Sequence, residues 1–170
     1  VDALDIQKRK RQFVQVLLPL ILQSNEEIIS HRTAIKTAIA ADDGDILKAF
    51  AKKYRVDENL PFGLIVAELE KKVQLIPVEI ALAQAAIESG WGQSRFTHQG
   101  NALFGQWVWN LDKGIKPINA SNEHAAVRAF PNLLSSVRAY MLNLNTHFAY
   151  EAFRERRHEL LSMGEVPISG

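Results

Sequence analysis

The stretch Val78–Gly105, VEIALAQAAIESGWGQSRFTHQGNALFG, constrains the chain more than any other. It opens as an apolar, alanine-rich segment directly after Pro77, at a position where a helix tolerates a missing N–H. Alanine loses little side-chain entropy in a helix and lets neighbouring backbones come close, so the segment predicts a tightly packed helix. It carries an acid, Glu88, to its far end, where Ser89-Gly90-Trp91-Gly92 stops the helix. Glycine suits the left-handed conformation beyond a last turn. Glu88 shares its helical face with Ala81, Gln84 and Ala85, so a side of mostly small residues leads to an acid.

A carboxyl in that place has a definite expected chemistry. The last turn of a helix presents partial negative charge, which disfavours ionisation. Ile87 and Trp91 would desolvate the group if the site is covered, and both effects raise a carboxylate's pKa. A carboxylic acid that keeps its proton near neutral pH suits general-acid catalysis, typically worth about 10²–10⁴-fold in rate. A glycosidic oxygen leaves poorly until it is protonated, so such an acid suits the cleavage of a sugar chain. Taken alone, Glu88 is also compatible with a surface acid or an ion-pair partner of Arg95.

The flanking sequence predicts a helical frame. Phe13, Val14, Leu17, Leu18, Ile21 and Leu22 recur at three- and four-residue spacing, giving a helix over Leu4–Leu22 bent at Pro19. Ser24 and Glu27 have the form of a capping box opening a second helix to about Ala40. Asp42-Asp43-Gly44 is a turn, Ile46–Tyr54 a short helix, and Phe62–Val73 a helix with Leu64, Ile65 and Leu69 inward. Gln106–Phe130 reads as an irregular lobe or a short two-stranded ribbon. Asn132 can cap a helix whose stripe is Leu133, Leu134, Val137, Tyr140, Met141 and Leu144. Asn145-Thr146 interrupts it, and a last helix spans about Phe148–Leu161.

Composition narrows the function classes. An apolar fraction of 47% with 23% charged residues is that of a globular chain, and 170 residues suffice for one core. A net charge of +1 gives nucleic-acid binding no support, and Lys8–Arg11 reads as a solvated helix face. The absence of cysteine excludes thiolate nucleophiles, disulfides and thiolate metal sites. His31, His98, His124, His147 and His158 are scattered without metal-ligand spacing, so neither metal nor cofactor is expected, and His31 reads as a surface histidine. Val14–Leu22 is too short to span a bilayer and lacks a small-residue cleavage site. Membrane contact is therefore expected only through a segment preceding Val1.

ESGWGQSRF followed by GNALFG resembles the catalytic segment of the glucosaminidase family of glycoside hydrolases, within the lysozyme-like superfamily. SVRAYMLNLNTHFAY, about fifty residues on, is similar to that family's second signature, a tyrosine-bearing helix. The resemblance runs from about Leu75 to Tyr150, and the wording is nearest the Bax-like branch. It implies a predominantly α, lysozyme-like domain with a small irregular or β-ribbon lobe. It also implies one domain over residues 1–170: an N-terminal helical region over 1–74, a catalytic segment over 75–161 and a tail over 162–170.

By this resemblance the catalytic glutamate falls on Glu88, and the helix tyrosine falls on Tyr140, either lining the cleft or packing in the core. Asn101, Leu103, Phe104 and Gly105 match the turn after the catalytic helix, with Phe104 in the core and Gly105 near the ligand. Trp107 and Trp109 either stack on pyranose rings or pack the small lobe, Gln106 offers hydrogen bonds, and Trp91 walls the acid's pocket. Asp112 and Glu123 are candidates for a second carboxylate, and Glu123 corresponds to the water-activating base of some members, though SNEHAAVRAF matches loosely. The alternative is attack by the sugar's own N-acetyl group, with no second acid.

The implied activity is hydrolysis of β-1,4 bonds after N-acetylglucosamine in bacterial peptidoglycan, by a monomer in the periplasm or cell envelope. A catalytically silent glycan-binding or scaffold module, and a lytic transglycosylase-like enzyme, are the alternatives.

Overall fold

The computed structural model describes residues 3–108, 114–116 and 126–164. The fold class is the expected one, mainly α and lysozyme-like with a small antiparallel β lobe. Helices α1 (Ala3–Ala40), α2 (Gly44–Lys53), α3 (Phe62–Lys72), α4 (Val78–Ser89) and α5 (Arg95–Gly100) precede the lobe. Strands β1 (Trp107–Val108), β2 (Gly114–Ile115) and β3 (Ala126–Arg128) form it, and α6 (Leu133–Thr146) and α7 (Glu151–Ser162) follow. The chain divides into two compact units, each drawn from two stretches of sequence: Val1–Ser24 with Val78–Tyr140, and Asn25–Pro77 with Met141–Gly170.

The first unit contains Glu88. Ala81, Ala85 and Ala86 of α4 are buried, as are Leu17 and Ile21 of α1 and Val137 and Tyr140 of α6. Among the described residues the lobe has three strands rather than two, in the order β1-β3-β2. Trp107 pairs with Val127, and Gly114 with Arg128. The third strand escapes a periodicity search because β1 and β2 are two residues each, too short to show alternation. A Cβ on Gly114 would meet the Ala126 Cβ at 2.6 Å, so the close approach of β2 to β3 depends on this glycine.

The second unit is assembled by polar side chains that satisfy buried backbone. The Asn25 amide donates to Ile76 O at 2.9 Å and accepts from Ile76 N–H at 3.0 Å. Asn145 donates to Gln74 O, and Arg157 donates to Leu75 O and Lys71 O. Tyr54, Leu69, Val73 and Met141 lie in its core.

Three expectations are corrected. The two N-terminal helices are one, α1, continuous through Pro19; Ser24 is no N-cap, and its hydroxyl donates instead to Leu20 O one turn back. A serine that back-bonds in this way lets a helix continue where a capping geometry would start a new one. Leu64 is 54% exposed while Ile65 and Leu69 are buried, so α3 presents a narrower apolar face than its sequence suggests. Asn145 and Thr146 do not interrupt α6 but form its last turn, and both are buried. Asn132 caps α6 as expected, accepting from Ser135 N–H at 2.8 Å.

Candidate active site

Local chemistry ends α4 at the predicted place. Gly90, Trp91 and Gly92 are all left-handed, with φ of 57°, 58° and 79°. The N–H of Trp91 donates to Ala86 O at 2.9 Å, closing the last turn. Ser89, fully buried, ties the turn together: its hydroxyl donates to Ala85 O at 2.5 Å and accepts from Gly92 N–H at 2.8 Å. Helical periodicity gives Ser89 no special place, although a serine wedged between an acid and a glycine turn is a recognisable local signal.

The turn sends Trp91 towards α1. Its ring meets Phe13 edge-on at 5.6 Å, and the Lys10 ammonium stands 4.9 Å over it. Ile87 is 77% exposed and Glu88 itself is exposed, so the expected apolar cover over the carboxyl is absent among these neighbours. Nor is Arg95 the acid's partner: it donates to Lys116 O at 2.6 Å and lies over the Phe96 ring. Among the described residues no cation pairs with Glu88.

Gly105 also lies beside the acid. Its φ is +56°, and a Cβ built there would lie 3.3 Å from Glu88 Oε2. The adjoining Phe104 is buried and stacks face to face on Tyr140, with ring centroids 3.9 Å apart and planes 3° from parallel. Tyr140 is 4% exposed, and its hydroxyl donates to Gln84 Oε1 at 2.7 Å. Gln84 lies one turn before Glu88, so the tyrosine is attached to the acid's own helical face. The two descriptions of Tyr140, core ring and cleft hydroxyl, are therefore compatible.

The remaining candidates differ in their commitments. Asn101 takes a left-handed φ of 50° to end α5, and its amide donates to Phe130 O at 2.9 Å. The short α5 has too few residues to show a periodic stripe; its signal is Ser94, whose hydroxyl accepts from Thr97 N–H. The Gln106 amide donates to Ala139 O, while its Oε1 is buried and without a partner among the described residues. Trp107 is 59% exposed on β1. Trp109, Asp112 and Glu123 lie outside the described residues. A cavity of about 400 Å³ in the second unit, between Ile35, Leu69 and Leu161, contains none of the candidate residues. The described residues bring together no group of histidines and acids that could hold a metal ion.

The sequence that builds this helix end, turn, lobe and tyrosine helix matches a known family. Residues 64–164, more than half of the chain, match the glucosaminidase family, described as mannosyl-glycoprotein endo-β-N-acetylglucosaminidase, and the chain belongs to that family. It is also 31% identical over 162 residues to Protein bax of Escherichia coli strain K12, an alignment covering 89% of this chain and 56% of that protein. The chain thus spans little more than half the length of this relative. No solved structure matches.

Proposed function

We propose that the protein hydrolyses the β-1,4 bond after N-acetylglucosamine in peptidoglycan glycan strands, with Glu88 as general acid. The observation that carries this is the carboxylate of Glu88 against Gly105, one helical turn from the Tyr140–Gln84 pair. An exposed acid with no counter-charge among the described residues is available to a substrate laid across it, and a glycan chain would supply the cover that Ile87 and Trp91 do not. Covered in that way, the carboxyl could protonate the leaving oxygen.

Bond breaking then needs a nucleophile at the anomeric carbon. Either water attacks while Glu123 takes its proton, or the acetamido oxygen attacks first and water opens the resulting ring. In both routes the glycosidic oxygen leaves with the proton from Glu88. In this reading Tyr140 lines the cleft through the hydroxyl that it gives to Gln84, and the indoles of Trp107 and Trp109 stack on pyranose rings. Asn101 and Gly105 shape the turn, Gln106 and Trp91 flank it, and the enzyme acts as a monomer in the periplasm or cell envelope without metal or cofactor.

The test is digestion of purified peptidoglycan. Wild-type protein should release fragments whose reducing end is N-acetylglucosamine, and Glu88→Gln should fold normally and lose turnover by at least about 10²-fold. Near-normal activity of Glu88→Gln would sink the assignment. Anhydro ends would indicate transglycosylation, and binding without release would indicate a silent module. Full activity of Glu123→Gln would favour attack by the acetamido group.

A further inference from the structure

We infer that Gln84 reads the 2-acetamido group of the bound sugar, donating its side-chain N–H to the acetamido carbonyl from a position set by Tyr140. This deepens the proposed function and rests on Glu88 facing a glycan. The inference begins with a single proton. The phenol of Tyr140 donates to Gln84 Oε1 at 2.7 Å, which fixes which end of the amide faces the buried ring. The NH₂ end must then point away from Tyr140. Gln84 is exposed, and its Nε2 has no partner among the described residues.

Tyr140 is itself held firmly. It is 4% exposed and stacked on Phe104, which is joined to the Gly105 that meets Glu88. A glutamine on a helix surface usually samples several rotamers. This one is anchored at its oxygen by a rigid group, so its donor is preorganised. Gln84 and Glu88 stand one turn apart on one face of α4, with Cβ atoms about 5–6 Å apart in such a pair. A 2-acetamido sugar carries its glycosidic oxygen on C1 and its acetamide on the neighbouring C2. A sugar whose C1 oxygen meets Glu88 therefore brings the acetamide within reach of Gln84. A glucose unit has only a hydroxyl at that carbon and lacks the carbonyl that accepts from the amide.

Binding can be measured apart from turnover. In the Glu88→Gln protein, the affinity for a β-1,4-linked tetramer of N-acetylglucosamine is compared with that for a β-1,4-linked tetramer of glucose by calorimetry or NMR titration. The acetamido tetramer should bind more tightly. Adding Gln84→Glu, which keeps the oxygen that accepts from Tyr140 and removes the N–H donor, should weaken it by about three- to ten-fold and leave the glucose tetramer unchanged. Adding Tyr140→Phe instead, which frees the amide to turn, should erode the same preference by less. A preference that survives Gln84→Glu, or no preference at the outset, overturns the inference. Peptidoglycan turnover with an unmoved preference would remove the subsite and keep the enzyme. A preference that depends on Gln84 without any turnover would do the reverse.

Discussion

Gly105 occupies a position that an alanine would contest twice. The left-handed φ of +56° costs a Cβ-bearing residue about 1 kcal/mol, and the new methyl would press on Glu88 Oε2 from 3.3 Å. Backbone there is not easily moved, whereas the end of a glutamate side chain is. The carboxyl should therefore give way. Gly105→Ala is expected to lower the melting temperature by only a few degrees. Activity on peptidoglycan should fall more, about ten-fold or beyond, because small misplacements of a catalytic group are costly. A variant with wild-type turnover would show that Glu88 is not positioned through this contact. Gln84 belongs to the same scale: its place on the acid's face was legible in the sequence, but its attachment to Tyr140 was not.

Among the elements, α1 shows how a side chain decides between one helix and two. Ser24 resembles a cap in sequence, yet its hydroxyl serves a carbonyl already inside the helix ladder. Ser24→Ala should change stability by no more than about 0.5 kcal/mol, where loss of a true N-cap would cost about 1 kcal/mol. Its neighbour differs. Asn25→Ala would leave the buried N–H and C=O of Ile76 without partners and should cost about 2–3 kcal/mol. Urea denaturation of the two variants side by side measures the contrast. A large loss at Ser24 and a small one at Asn25 would reverse this account of α1.

For the molecule as a whole, the pH dependence of stability is expected to run through the second unit. His31 is not the surface histidine that its sequence suggests; it is half-buried against Phe50 and Tyr54. The Lys53 ammonium lies 2.8 Å from its Nε2, and Tyr54 Oη lies 2.8 Å from its Nδ1. An ammonium can only donate, so Nε2 accepts and the imidazole carries its proton on Nδ1, facing Tyr54. Burial first, and then Lys53, hold the His31 pKa below its ordinary value of 6.5, with Glu27 opposing. Burial also raises the Tyr54 pKa, with Glu27 adding to it, so the phenol stays neutral.

Because the folded-state pKa is depressed, the unfolded chain takes up a proton first as pH falls. His31 therefore contributes stability above pH 6.5 that declines as pH drops through that value towards the folded-state pKa. Unfolding transitions at pH 7.5 and pH 5 should show a loss in the wild type that is smaller in His31→Gln. Equal losses in both proteins would remove His31 from the explanation.

What was legible in the residues was local. Alanine content with glycine punctuation marked α4 and its end, the turn at Asp42-Asp43-Gly44 and the cap at Asn132 marked the starts of α2 and α6, and the position of Glu88 followed from the helix stop. These signals act over three or four residues, where backbone sterics and hydrogen bonding are complete in themselves. The tertiary structure decided the pairings that no such window contains. Tyr140 finds Gln84 across 56 positions and Asn25 finds Ile76 across 51, while β3 takes the centre of the lobe between two strands that precede it. It also decided exposure: Trp91 turned to Phe13 and Lys10 while Glu88 stayed open. A side chain's partner depends on which distant backbone the packed fold brings beside it, and one-dimensional spacing carries no such information. The sequence by itself thus placed the acid at the end of its helix. Only the tertiary structure showed that Gly105 lies against it and that a buried tyrosine orients the amide one turn away.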